Sequence, residues 1–207
     1  WGITRYGFSL RYLADKQRPA QILKRLVEHE ASVPLLRQLF LLYTARSNSL
    51  FADIAGEYYW QLNARGIKEL SKAMIETFIR SKFGSEKVPH AWSDIVTDRV
   101  AAGVMKTLSD FGYIAPGRGK ARVMTPPAIL PETVCFIAYE ARERRIPDSL
   151  VAADPAFTLF GMSHQKALEE LIHVSGQYGL IVQSAGDLVR ISYKYQTMED
   201  FLDALVR

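Results

Sequence analysis

The sequence predicts a mainly α fold: an N-terminal helical bundle followed by two winged-helix-like units with short β-hairpins. Three observations predict it. Apolar residues recur every three or four positions through most of the chain, the period of a helix packed on one side. Strand-like pairs occur only near 113–124 and 180–194, each bent around a glycine. The run Thr107-Leu108-Ser109-Asp110-Phe111-Gly112-Tyr113-Ile114 also shares its plan with Val174-Ser175-Gly176-Gln177-Tyr178-Gly179-Leu180-Ile181, 67 residues later. A long helix that stops at a glycine and runs into a hairpin is how a winged helix closes.

Taken in order, Arg18-Pro19 reads as a helix start, because proline suits the first helical position. Ile22, Leu23, Leu26 and Val27 then mark one apolar face. Ser32 caps a second helix, apolar on nearly every side from Leu35 to Tyr43 and therefore central. A third helix opens at Asn48 or Ser49 and ends at Gly66. The spacing of Ile67, Leu70, Met74 and Phe78, with Ile75 and Ile79 beside them, predicts a fourth helix starting at Ile67. Phe83 to His90 reads as a loop. Ser93 caps a long helix with the stripe Val96, Val100, Val104, Leu108 and Phe111, stopped by Gly112. Tyr113-Ile114 and Ala121 to Met124 flank the turn Pro116-Gly117-Arg118-Gly119.

After Pro126-Pro127, Pro131 opens a helix to about Arg145. Its run Glu140-Ala141-Arg142-Glu143-Arg144-Arg145 reads as a helix face paired with itself. Asp154-Pro155 opens a short helix through Phe160. Ser163 caps the next, with the stripe Leu168, Leu171, Ile172, Ser175 and Tyr178, stopped by Gly179. Phe160-Gly161-Met162-Ser163 sits where a helix-turn-helix turn belongs. Leu180 to Tyr193 is the second hairpin, and Thr197 with Asp200 resembles a capping box for a last helix. The expected domains are a bundle over 1–83, a winged-helix-like unit over 84–128 and a second over 129–207.

Composition narrows the function classes. Cys135 is the one cysteine, so no internal disulfide can form and a reducing compartment fits best. It falls in an apolar run and reads as an inert core thiol. The most apolar stretch, Val33 to Ala45, carries Arg37 and Gln38 and is shorter than the roughly 20 residues a membrane span needs. A cytoplasmic protein without a membrane segment is the expectation. The chain starts at Trp1 and not at Met, which leaves room for residues upstream. No signal peptide is seen in what is present. Phosphate-loop, nucleophile-elbow and zinc-protease motifs are missing, and the four histidines are dispersed. A non-enzyme with no cofactor and no metal is expected.

Charge points to an anionic partner. Net charge is +4, and residues 1–83 hold 13 Lys and Arg against 7 Asp and Glu. In a DNA-reading winged helix the long helix enters the major groove and the hairpin touches phosphate. Arg118, Lys120 and Arg122 suit the second role, and Arg99 and Lys106 the first, although Asp98 and Asp110 share that helix. The second copy presents Glu169 and Glu170, which repel phosphate. Near the N-terminus, Arg5, Arg11 and Arg18 interleave with Tyr6, Phe8 and Tyr12. That mix can bind phosphates and stack on bases, or it can be a helix whose aromatics are buried.

The aromatic-rich stretch Leu50 to Trp60, the helix Ile67 to Lys82, Trp92 before the long helix, and Leu108-Ser109-Asp110-Phe111-Gly112-Tyr113 together resemble the BrxA family. These are small accessory proteins of bacteriophage-exclusion (BREX) defence systems. The resemblance implies winged-helix-like parts, binding to duplex DNA, and work beside the methyltransferase, ATPase and other defence-system proteins. The competing expectation is a winged-helix scaffold for protein–protein contacts, without nucleic-acid binding.

Overall fold

A computed structural model describes residues 9, 11–83, 92–186 and 188–206. The fold is mainly helical, with two small antiparallel two-stranded sheets. Packing divides it into two compact units, Leu50–Pro127 and a discontinuous one made of Trp1–Ser49 with Ala128–Arg207. The breaks in packing fall at 49/50 and 127/128. The first two helices pack with the C-terminal segment, and the later helices of the expected bundle pack with the first hairpin.

In the discontinuous unit, α1 (Ala14–Glu28) and α2 (Val33–Ser47) pack together and against α7 (Pro131–Glu143) and α10 (Met198–Leu205). The helix enclosed on all sides is α7, with every residue from Thr133 to Ala141 buried, whereas α2 leaves Val33 and Arg37 exposed. Between α7 and α10 lie α8 (Asp148–Val151), a 3-10 helix (Pro155–Phe160), α9 (His164–His173), and the hairpin β3 (Leu180–Ala185) with β4 (Leu188–Tyr193). Tyr139 stacks on Phe201 at 3.9 Å between ring centroids. Gln38 fastens the re-entering chain, donating to the Ala128 carbonyl at 2.8 Å and accepting from the Leu130 N–H at 3.0 Å.

The expected self-paired face at 140–145 is wired to other elements instead. Glu140 meets Arg46, Glu143 meets Arg18, Arg144 meets Asp154, and Arg142 donates to the Tyr195 carbonyl at 2.8 Å. Buried Glu140 requires a partner on a neighbouring element, and the more exposed charges beyond it also lie within reach of the elements packed around α7.

The Leu50–Pro127 unit begins in a helix that changes pitch. It comprises α3 (Ser49–Asp53), a π-helical turn at Ile54–Tyr58, and α4 (Tyr59–Ala64). Gly66, at φ +77°, turns the chain into β1 (Glu69–Ser71), then α5 (Lys72–Phe83), α6 (Asp94–Asp110) and β2 (Ala121–Val123). The fourth helix therefore starts at Lys72 and not at Ile67. Ser71 caps it, its Oγ accepting the Met74 N–H at 3.3 Å, and Leu70 is an inward strand residue, fully buried.

Strand β1 was not expected. It pairs antiparallel with β2, Leu70 opposite Arg122, while the expected partner strand of the hairpin contributes one bridge, Ile114 to Met124. The chain order is thus helix, strand, helix, helix, bridge residue, strand, with β2 hydrogen-bonded on both sides.

Both helix stripes depart in part from expectation: Val104 and Leu108 of α6 and Leu171 of α9 face inward as expected, while other inward positions shift by one residue. In α6 the inward residues are Thr97, Ala101, Val104, Met105 and Leu108, and Val96 is exposed. In α9 they are Ala167 and Leu171, with Val174 following, and Ile172 is exposed. An alanine takes the close-approach position in each case. Helix α9 also stops at His173, short of Gly179, and Ser175–Tyr178 turns through Gly176 at φ +90° and Tyr178 at φ +46°.

Candidate nucleic-acid interface

Helix α6 starts at Ser93, whose Oγ accepts the Val96 N–H at 3.4 Å. Its exposed side carries Arg99, Ala102, Gly103 and Lys106. Arg99 and Lys106 are two turns apart, so they share a face about 10 Å long with only small side chains between them. That face allows a close approach by a rigid partner.

The acids on α6 are partly neutralised inside the unit. Asp98 pairs with Lys72 of α5, and Asp94 pairs with Arg80 at 2.7 Å. Lys72 also reaches Glu76 at 3.3 Å, and its hydrogen bond to Asp98 keeps its ammonium charged. Lys72 was not singled out in the sequence. The available signal was Ser71, a helix cap that places the next residue in the first turn.

The turn after α6 is built on Gly112 at φ +83°, where the Tyr113 N–H reaches back to the Leu108 carbonyl at 2.9 Å. Buried Tyr59 donates its hydroxyl to the Tyr113 carbonyl at 2.7 Å, and burial holds that phenol protonated. The Ala115 N–H donates to Val123 at 2.8 Å, and the Lys72 N–H donates to Lys120 at 3.3 Å. These bonds hold the loop 115–120 over the start of α5. At Gly119 a Cβ would lie 3.0 Å from the Ala121 carbonyl, so glycine fits best.

Arg118 and Lys120 are exposed on this turn. Beside them is a cleft of about 620 Å³, lined among others by Lys72, Asp98, Met105, Arg118, Lys120 and Arg122. Arg122 is half-buried. Its Nη2 donates to the Met105 carbonyl at 2.8 Å and its Nη1 to the Gly117 carbonyl at 3.3 Å.

The N-terminal candidates part company with this group. Arg5, Tyr6 and Phe8 lie outside the described residues. Arg11 is half-buried, and Tyr12 meets Phe40 edge-on at 5.7 Å. Arg18 is held between Glu143, at 2.5 Å, and Glu199. Arg25 forms a two-pronged pair with Asp203, both contacts at 2.7 Å. The structure thus brings Arg99, Lys106, Arg118, Lys120 and Arg122 into one unit and ties Arg18 elsewhere.

Among the described residues, no group of three or more His, Cys, Asp and Glu side chains is placed to hold a metal. No helix of the described residues is long and apolar enough to cross a membrane. Cys135 is buried, and burial with nearby Glu132 pushes its thiol up to about 12.

The BrxA family model matches residues 16–141, which include the whole Leu50–Pro127 unit. No curated protein and no solved structure matches the chain. The family is an accessory one and not a known enzyme family. The matched span exceeds half of the sequence, and the chain belongs to the BrxA family, which associates it with BREX phage defence and with the other proteins of such systems.

Proposed function

We propose that this protein is a non-enzymatic DNA-binding accessory of a BREX system, with a winged helix in Leu50–Pro127 as its duplex-binding part. The observation that carries the reading is the joint placement of four cations. Arg99 and Lys106 lie along the open face of α6, and Arg118 and Lys120 lie on the glycine-rich turn that follows it. The order helix, strand, helix, helix, bridge residue, strand, with β2 paired to β1 and Ile114 bridged to Met124 beside it, supports the winged-helix part. In such a unit α6 would enter the major groove and the turn would rest on phosphate. Ala102 and Gly103 offer no hydrogen-bonding side chain to base edges, so binding tolerates sequence.

The test is a titration of unrelated duplexes at about 50 and 200 mM salt, because each phosphate contact contributes about −0.9 to the salt slope. R118A/K120A should flatten the slope by about 1.8 for every duplex. No binding at about 50 mM salt would sink the reading. An unchanged slope in R118A/K120A, with loss in a variant of Arg5 and Arg11, would move the surface to the N-terminus.

For the C-terminal helix–hairpin a protein contact is the better reading. Its exposed residues include Ile172, Ile181 and Leu188 with the mixed charges Lys166, Glu169 and Arg190, a surface with apolar area and no cation on the described part of its turn. A scaffold role toward other defence proteins would fall there.

A further inference from the structure

The alternation of Lys120 and Arg122 along a strand suggests two equivalent phosphate contacts, but the geometry separates them. We infer that Arg122 is a positioning residue, which locks the wing loop to helix α6 so that the two meet DNA as one rigid body. The inference rests on the DNA-binding reading above.

Three elements converge on this side chain. It is anchored on β2, opposite Leu70, which is fully buried in β1. One guanidinium nitrogen bonds a carbonyl of α6 at Met105, and the other bonds a carbonyl of the loop at Gly117. A carbonyl carries two lone pairs, so a helix carbonyl can accept this second donor. The planar fork fixes the separation and direction of both bonds, which a flexible ammonium cannot do. Gly117 and Gly119 flank Arg118, so without a brace this loop has wide backbone freedom. Arg118 and Lys120 ride on the loop, and Arg99 and Lys106 ride on α6. The Arg122 bridge spans the two groups.

A brace and a contact fail differently. A lost phosphate contact flattens the salt slope. A lost brace adds an ordering cost to binding at every salt and leaves the number of neutralised phosphates unchanged. The experiment compares wild type, R122K, R122A and R118A in the full chain. It measures duplex affinity across a salt series and the heteronuclear NOE of the Gly117 and Gly119 amides without DNA.

R118A should lose about 0.9 of slope. R122K and R122A should both bind roughly three- to tenfold more weakly at all salts with the slope kept. Both should lower the two glycine NOEs in the free protein. If R122K binds as wild type does and R122A loses slope as R118A does, Arg122 is a phosphate contact and the inference is overturned. Unchanged NOEs in R122K overturn it as well. Should R122A fail to fold, R122K decides alone. If wild type binds no duplex, the functional reading and the positioning role fall together, and the NOEs still report whether Arg122 holds the loop.

Discussion

Residues 94–124 and 164–193 both run from a serine-capped helix through a glycine turn into paired strands, and they present different surfaces. Helix α6 has 17 residues and shows Arg99, Ala102, Gly103 and Lys106; α9 has 10 and shows Gln165, Lys166, Glu169, Ile172 and His173. The first region keeps a single bridge between its hairpin arms and leans on β1. The second has six-residue strands in full register from Leu180–Tyr193 to Ala185–Leu188. The first turn carries Arg118 and Lys120, whereas the second carries Ala185 and Gly186. Inward residues fix the plan, with Ala101 and Leu108 in one region and Ala167 and Leu171 in the other. Outward residues differ between the two regions without cost to the plan.

The sharpest break of this comparison is at Gly179, which lies between Tyr178 and β3. A Cβ there would lie 2.7 Å from Tyr195 Cε2 and 2.8 Å from Lys194 Cβ, at φ +69°. Gly179→Ala should cost about 2 to 4 kcal/mol from overpacking and left-handed strain combined. Gly66→Ala, with open space around it, should cost about 1 kcal/mol. Urea midpoints decide, and equal losses would refute the packing account.

Next comes a charge placed on each helix face. Ala102→Glu on α6 should weaken duplex binding about tenfold or more, because a carboxylate would enter the negative potential of the groove. Ile172→Glu on α9 should leave DNA affinity unchanged. If both variants lose DNA, both regions touch it and the assignment of partners by surface chemistry is wrong.

The support beneath α9 offers a smaller test. Helix α7 carries Cys135, fully buried and with its thiol pushed up to about 12. It should resist iodoacetamide at pH 8 in the folded protein and react once urea unfolds it. Because the folded value is raised, this contribution to stability is complete below the ordinary thiol range and is lost as pH rises toward 12. Fast alkylation of the folded chain would contradict the burial.

The smallest effect belongs to Glu199. The Arg18 guanidinium holds its carboxyl below the usual carboxylate range. Its stabilisation is therefore present above that range and lost as pH falls through the folded value. The pair is partly exposed, so Glu199→Gln should cost about 1 kcal/mol or less. A larger loss at neutral pH would show that Glu199 does more than hold Arg18.

Much of the fold was legible in the sequence because it rests on local rules. The Ser93, Ser163 and Thr197 caps and the helix end at Gly112 follow from side chains within a few residues. Strand β1 was not legible. Ile67 and Leu70 fit helical spacing, and only pairing with Ala121–Val123, some fifty residues on, makes Leu70 a strand residue. The site divides similarly. Arg118 and Lys120 declare themselves by their glycine neighbours. The inward turn of Arg122, the Lys72–Asp98 pair and the Arg18 clamp depend on partners distant in sequence.

The discontinuous unit has a consequence for synthesis. Arg18 meets Glu199 across 181 positions and Arg25 meets Asp203 across 178. The ribosome delivers Trp1–Ser49 before the surfaces that cover it, which follow about ten to thirty seconds later at ordinary bacterial elongation rates. Leu50–Pro127 is contiguous in sequence and is complete as soon as Pro127 emerges. The later part of the nascent chain therefore matures first, while the opening helices wait with Leu39 and Leu42 uncovered, a window in which chaperones and proteases compete for them.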